Sequence, residues 1–482
     1  MIFRLHKKLF YAINKNMLFS SLTFLFCFLP SVVAGYYVCP RKLRNFFLLL
    51  ASIFFYAWGE PRYLPVIFTT ITISYIGSLL VERFKWKKTL LTLFILLDLS
   101  LLFYFKYTNF FLENLNLIFH QKWSLKVVLP LGISFYTFQA LSYLVDVYRG
   151  QVKAQKNYLK IALYICLFPQ LIAGPIVKYH DIADQIDNRE ETIDKVYYGI
   201  RRFIIGLAKK VLIANTLGEI ADKVFKALSD EGSIDIMAAW LGGITRALQV
   251  YYDFAGYSDM AIGLGSIFGF KFLENFNYPY VSRTISEYWR RWHISLGTWC
   301  KDYIYIPMGG SRVVPWRVYF NLFILFFTIG LWHGATWNFI VFGVLNGSLI
   351  MLERFFSLSK KQFKKIWLIP QYLYVFIIFI VNAILANTDT IKHSFIQFKG
   401  MLGLSQATDV PFYFPYYLDR VGIIIFFVAI LCCMPIFKHM LDWGKKWKML
   451  SIGVDIWLFA LLLLSCAQLA ASTYNPFIYF RF

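Results

Sequence analysis

The sequence predicts an all-α, polytopic membrane protein, and three observations predict it. Hydrophobic residues fill 59% of the 482 positions and charged residues only 16%, whereas a soluble chain carries about a quarter charged residues. Apolar stretches close to the ~20 residues that cross a bilayer recur from one end to the other. Basic residues gather in short loops between these stretches, as in "PRKLRN", "ERFKWKK", "KKQFKK" and "KHMLDWGKKWK". A membrane β-barrel would instead show alternating segments of about ten residues.

The net charge of +22 follows from those loops. It fits the positive-inside pattern and contact with anionic lipid, and it gives no reason to invoke nucleic acid. The seven cysteines (Cys27, Cys39, Cys166, Cys300, Cys432, Cys433 and Cys466) are odd in number, form no CxxC and sit mostly inside apolar runs. Cysteine there is a small core residue, so neither a disulfide framework nor a metal site is expected. The histidines show no metal-ligand spacing either.

In chain order, the candidate spans are 17–38, 45–58, 63–81, 89–105, 127–148, 158–177, 198–217, 236–252, 257–272, 318–333, 335–352, 366–386, 421–437 and 452–471. Some are too short or too interrupted to cross alone, which leaves about 11 crossings plus re-entrant and interfacial helices. The basic loops 41–44 and 82–88 are two spans apart and so share the cytoplasmic side. Residues before the first span then belong outside, yet they carry Arg4, Lys7, Lys8 and Lys15. Either residues 1–16 form a basic helix on the membrane surface, or the native start is Met17, the reading favoured here. Residues 17–482 read as a single membrane domain.

The segment 278–317 breaks the pattern. Its basic residues are interleaved with Trp289, Trp292 and Trp299, as in an amphipathic helix with tryptophans at headgroup depth. Pro169, Gly174 and Pro175 interrupt "LFPQLIAGPIVKY" (167–179) as in a re-entrant segment; it either lines a substrate path or is a bend.

Polar groups inside apolar runs are costly and therefore candidates for function. His333 sits in "TIGLWHGATWNF" (328–339). It is either a general base or a buried histidine bonded to a neighbouring helix. Gly330 and Gly334 form one GxxxG, and Gly343 and Gly347 another, which lets backbones approach closely. Trp332 and Trp337 are placed to wall a cavity, and Asn338 to supply a donor. His293, in "WRRWHISL", is by itself more often structural. Asp253 and Asp259 lie in "QVYYDFAGYSDMAIGLGSIFGF" (249–270), where an ion pair organising the bundle is at least as good a reading as a catalytic acid.

Taken together, these stretches resemble the membrane-bound O-acyltransferase family, in its branch that O-acetylates alginate and other polysaccharides. "LRNFFLLLASIFFYAWGEPRY", "GISFYTFQALSYLVDVYRG", "FPQLIAGPIVKY", "YYDFAGYSDMAIGLGSIFGF", "NFNYPYVSRTISEYWRRWHISLGTWCKDYIYIPMGGSR", "LWHGATWNFIVFG" and "FIYFRF" follow one another in the family's order. The resemblance covers most of the chain and implies a helical bundle around a transmembrane tunnel. It puts the family's near-invariant histidine at His333 and its second histidine at His293.

It also implies an acyl thioester donor such as acetyl-CoA, used as substrate with no permanently bound cofactor. It implies an extracytoplasmic partner of serine-hydrolase-like fold, a polysaccharide biosynthesis complex, and a bacterial cytoplasmic (inner) membrane. On this expectation His333 is the base or activates the acceptor, and His293 orients donor or acceptor. Arg290 and Arg291 contact the donor's phosphates or lipid headgroups, and Trp332, Trp337, Asn338 and Asp253 line the tunnel. The residues start to diverge from the family before Met17. Two alternatives stay open: D-alanyl transfer to teichoic acid, and a transporter in which His333 gates protons.

Overall fold

The computed structural model describes residues 17–231, 234–358, 365–388, 390–404, 414–436 and 448–478. The extension 1–16 and the basic loops at 359–364 and 437–447 lie outside the described residues. Among those described, the regular elements are all helical. Six helices are long and apolar enough to cross a membrane: Pro61–Arg83, Lys87–Phe119, Pro315–His333, Trp337–Phe355, Lys365–Asn387 and Ile452–Ala471. Phe24–Val38 and Arg420–Cys432 are shorter apolar helices. The protein is a multi-pass membrane protein.

The chain divides into two compact units, one built from residues 1–203, 257–273 and 469–473, the other from 204–256, 274–468 and 474–482. Unit 1 opens with α1 (Leu29–Val38), α2 (Arg44–Gly59), α3 (Leu64–Arg83), α4 (Lys87–Phe119) and α5 (Ile133–Tyr148). Pro65 stands in the first turn of α3, where its missing N–H costs no hydrogen bond. Helices α3, α4 and α5 pack on one another. Lys106 of α4 donates to Ser134 Oγ at 3.1 Å, which gives a charge inside an apolar helix a polar partner.

The unit continues with α6 (Tyr158–Cys166), α7 (Phe168–Leu171), α8 (Tyr179–Asn188) and the first part of α9 (Ile193–Ala208). Residues 167–179 are buried throughout, and their backbone is irregular between α7 and α8. Protein covers this stretch, which is the condition under which non-helical backbone is tolerated inside a membrane. Gly132 allows the close approach: with φ +75°, it lies so near the Leu171 carbonyl that a Cβ would sit 2.6 Å from the oxygen.

Unit 2 contains the end of α9, α10 (Asn215–Glu231) and the first two thirds of α11 (Ile236–Ile267). The two spans expected at 236–252 and 257–272 are therefore one continuous helix. Gly256, at the supposed break, is a packing site instead. A Cβ there would be 2.7 Å from the Gly206 carbonyl oxygen, so the glycine permits close backbone approach rather than ending the helix.

The rest of unit 2 comprises α12 (Ile285–Arg291), α13 (Ile294–Cys300), α14 (Pro315–His333), α15 (Trp337–Phe355), α16 (Leu368–Asn387), α17 (Ile391–Met401), α18 (Arg420–Cys432) and most of α19 (Lys448–Ala471). The amphipathic helix expected over 278–317 is broken in two at His293, and its Trp292 and Trp299 are buried. Their rings pack inside the unit: Trp292 lies 5.0 Å from Phe379, and Trp299 lies 5.1 Å from Tyr303.

Candidate active site

Local hydrogen bonding fixes the segment that carries His293. Thr284 caps α12 by accepting from the Glu287 N–H at 3.0 Å, and Glu287 Oε2 accepts from the Arg283 N–H at 3.0 Å. This is the reciprocal arrangement of a capping box, shifted outward by one residue. Buried Glu353 of α15 then accepts from the Ile285 and Ser286 N–H groups at 2.5 and 2.8 Å. A carboxylate at a helix N-terminus meets both orphan donors and the positive end of the dipole. These contacts tie α12 to α15, and α15 packs along α14, which ends on His333.

Between α12 and α13 the backbone turns sharply at His293, which has φ 44° and ψ 54°. This left-handed conformation is uncommon outside glycine, and persists where surrounding contacts over-determine it. Asn275 supplies those contacts. Its carbonyl oxygen accepts from the Ile294 N–H at 2.9 Å. Its side-chain Oδ1 accepts from Ser295 Oγ at 2.9 Å and from the Ser295 backbone N–H at 3.3 Å, and lies 3.0 Å from His293 Nδ1.

A backbone N–H can only donate, so the Asn275 atom that meets it is oxygen. His293 Nδ1 must then carry the proton, and Nε2 is the ring's basic nitrogen. Burial pushes the His293 imidazole well below its ordinary range, and the nearby His333 adds to that effect. The ring is therefore neutral, with a fixed tautomer.

His333 is buried at the C-terminal end of α14. Trp332 stands next to both histidines, its ring 4.9 Å from His333 and 6.0 Å from His293. Phe339 and Phe342 pack on the other sides of His333, at 6.1 and 5.5 Å. A cavity of about 40 Å³ borders His333 and is lined by Val250, Trp289, Phe342, Asn382, Ala383 and others. That is room for a few waters or a two-carbon group. Around it the polar groups are few and the walls aromatic, which is how binding sites are usually built.

The glycines set how closely α14 and α15 approach. Gly330 and Gly343 face one another: a Cβ on Gly343 would be 2.6 Å from the Phe326 carbonyl oxygen and 3.2 Å from Gly330 Cα. A Cβ on Gly330 would strike the Phe339 carbonyl, and one on Gly334 the Phe339 ring.

Several residues expected in the tunnel are elsewhere. Trp337 is 54% exposed and walls no part of the cavity. The chain breaks helix at Gly334 and re-enters it at Trp337, so the two tryptophans point differently. Asn338 is occupied away from the cavity: its Nδ2 donates to the Thr388 carbonyl at 2.7 Å and to Thr388 Oγ1 at 3.1 Å. Asp253 forms a buried ion pair with Lys210 at 2.7 Å and also accepts from the Ile478 N–H at 2.7 Å. Lys210 Nζ donates further to Asn215 Oδ1 and to the Pro476 carbonyl. This acidic residue organises the bundle, and Asp259 does the same in unit 1 through Arg202 at 2.6 Å.

Arg291 is taken up by Glu287 at 2.9 Å and by the Asn277 carbonyl at 3.1 Å. Arg290 is exposed on α12 and can meet an anionic group from outside. Among the described residues, no group of His, Cys, Asp and Glu is arranged to hold a metal ion.

Sequence reasoning missed Asn275, Asn346 and Asn382. The two in "VLNGSLI" and "VNAILAN" carry a readable signal, because an amide inside an apolar helix is costly unless something needs it. Asn275 lies in a polar loop, where nothing sets it apart.

Fold and site together define a multi-pass helical membrane protein with two histidines enclosed in one unit. A family model described as MBOAT, membrane-bound O-acyltransferase family, matches residues 83–388, a range that holds both histidines. The chain is 45% identical over 349 residues to a probable alginate O-acetylase of Azotobacter vinelandii, covering 70% of this chain and 69% of that one. It is 37% identical over 500 residues to a probable alginate O-acetylase of Pseudomonas putida, covering 97% and 100%. It is 36% identical over 428 residues to a peptidoglycan O-acetyltransferase of Helicobacter pylori, covering 81% and 80%. The chain belongs to the membrane-bound O-acyltransferase family and is an acyltransferase.

Proposed function

We propose that this protein moves acetyl groups from a cytoplasmic thioester, such as acetyl-CoA, across the membrane for O-acetylation of an extracytoplasmic polysaccharide. The relatives named for alginate and peptidoglycan O-acetylation support the reaction and the class of acceptor. The observation that carries the reading is the His333 cavity: a buried imidazole beside a space of about 40 Å³, with neutral His293 across Trp332. The setting is the cytoplasmic membrane of a bacterium. An extracytoplasmic protein of serine-hydrolase-like fold, within a polysaccharide-assembling complex, receives the acetyl group or passes it on.

The chemistry balances as follows. An acceptor hydroxyl attacks the acetyl carbon while its proton passes to the His333 imidazole. A C–O bond forms, and the carbonyl electron pair moves onto oxygen. When that pair returns, the C–S bond breaks and the departing thiolate takes the proton from the imidazolium. His293 helps to orient the reactants, held by Asn275. Exposed Arg290 meets the donor's phosphates or, equally, lipid headgroups.

The test is His333→Ala in the host, with ester-linked acetate on the extracellular polymer measured against the amount of protein in the membrane. Loss of a general base lowers the rate by roughly 10²- to 10⁴-fold, so acetylation should fall to background. Unchanged acetylation by a normally inserted variant overturns the reading.

A further inference from the structure

We propose that Asn382 supplies the hydrogen-bond donor that receives the oxyanion formed beside His333 during acetyl transfer, an assignment that rests on the acyl-transfer reading above. The argument begins with amide orientation. Asn346 Nδ2 donates to the Phe342 carbonyl at 2.8 Å, so that atom is nitrogen. Asn346 Oδ1 accepts from the Trp289 indole N–H at 3.1 Å, so that atom is oxygen. Both assignments follow from partners whose roles are unambiguous.

They fix Asn382 in turn. Asn346 Nδ2 also donates to Asn382 Oδ1 at 2.9 Å, and Asn382 Nδ2 donates back to Asn346 Oδ1 at 3.1 Å. Asn346 has then used both protons and both lone pairs. Asn382 has used one of each, and retains one N–H and one lone pair. Asn382 is buried, and it lines the same cavity as His333. An N–H left over at a buried position is costly unless something accepts it, and the occupant of this cavity is what can.

The reciprocal amide pair holds that N–H in one orientation, and the Trp289 indole N–H anchors the pair through Asn346 Oδ1. A donor fixed in advance beside a largely apolar cavity can stabilise the oxygen of a tetrahedral intermediate. In the transfer step, the negative charge passes from the carbonyl π bond to oxygen as the C–O bond forms. It returns when the C–S bond breaks, so the Asn382 N–H is needed only between reactants and products. It acts on kcat and has little effect on donor binding.

The experiment uses membrane vesicles from the producing host, containing the full chain and the host's own polymer machinery. Radiolabelled acetyl-CoA is the varied donor. Asn382→Ala, Asn382→Leu and Asn346→Ala are compared with the wild type for label in polymer and for thermal stability. The expected result is a fall in kcat of about 10²- to 10³-fold for both Asn382 variants, with KM for acetyl-CoA changed less than about threefold. Asn346→Ala, which loosens the donor without removing it, should cost about tenfold or less.

A purely structural role reverses that order. Asn346 makes four hydrogen bonds and Asn382 two, so Asn346→Ala would then be the more damaging change in rate as well as stability. That order, or an Asn382→Ala enzyme retaining kcat within about threefold, overturns the proposal. Asn382→Leu fills the space left by the amide and gives the reading if the alanine variant does not accumulate. His333→Ala in the same vesicles separates the two claims. If it retains transfer, the acyl-transfer reading fails; if it loses transfer while Asn382→Ala keeps it, only the Asn382 assignment fails.

Discussion

Gly343→Ala adds a single methyl group at the crossing of α14 and α15, where the backbone leaves no room for it. The new Cβ would lie 2.6 Å from the Phe326 carbonyl oxygen, while ordinary contact begins at 3.4 Å. The obstructing atom belongs to helix backbone, which cannot rotate away, so α15 must retreat by about 0.8 Å in a close-packed interior. Overpacking of this kind costs about 1–3 kcal/mol. The larger effect falls on chemistry. His333 ends α14, while Phe339 and Phe342 that pack on it belong to α15, so the retreat shifts the ring against its own walls. A displacement of about 1 Å at a reacting group costs on the order of 10²-fold in rate.

Gly347→Ala is the internal control. Its Cβ would meet the Phe326 Cβ at 3.2 Å, only about 0.2 Å inside the ordinary contact distance of 3.4 Å. The two glycines belong to the same GxxxG, yet they should differ by at least tenfold in polymer acetylation per membrane-inserted protein. Equal losses for both substitutions, or wild-type acetylation by Gly343→Ala, would refute the reasoning that this crossing positions His333.

Two further predictions concern stability. Lys210→Met or Asp253→Asn alone leaves a buried charge unmatched and should destabilise by about 3–5 kcal/mol. The double variant should recover much of that loss, and denaturant or thermal unfolding of the solubilised protein measures it. Full activity and normal melting of Lys210→Met would sink the assignment of Asp253 to bundle organisation. In unit 1, His180 is bonded to buried Asp146 at 2.9 Å and lies 3.3 Å from Asp181. Asp146 above all, then Asp181, raise its pKa from 6.5 to about 9. A raised folded-state pKa means that the protonated ring stabilises the fold. That stability is complete below the unfolded value of 6.5 and disappears as pH rises through about 9. Melting temperature should therefore fall between those values, and Asp146→Asn should flatten this component of the profile.

The fold class was legible in the sequence alone, and so were the buried polar groups that make candidates for chemistry, because both follow from the cost of polarity in a bilayer. Long apolar runs with basic loops have no other low-energy home, and the same cost marked His333, Asp253 and the interrupted segment 167–179. What each of those groups does was decided by partners distant in sequence. Asp253 and His333 give the same signal in a hydropathy profile. One is neutralised by Lys210 and holds the segment 476–478, while the other borders a cavity.

The glycines show the same division. Their spacing announced close packing, but only the structure shows Gly256 inside a continuous helix against Gly206, where the sequence suggested a break. Trp332 and Trp337 lie on either side of His333 in the chain, and a helix break between them buries one and exposes the other. The amide network of Asn275, Asn346 and Asn382 is the clearest case. A hydrogen bond has direction, and direction depends on where the partner lies. The sequence supplies the amides; the tertiary structure alone determines which partner each of their protons and lone pairs meets.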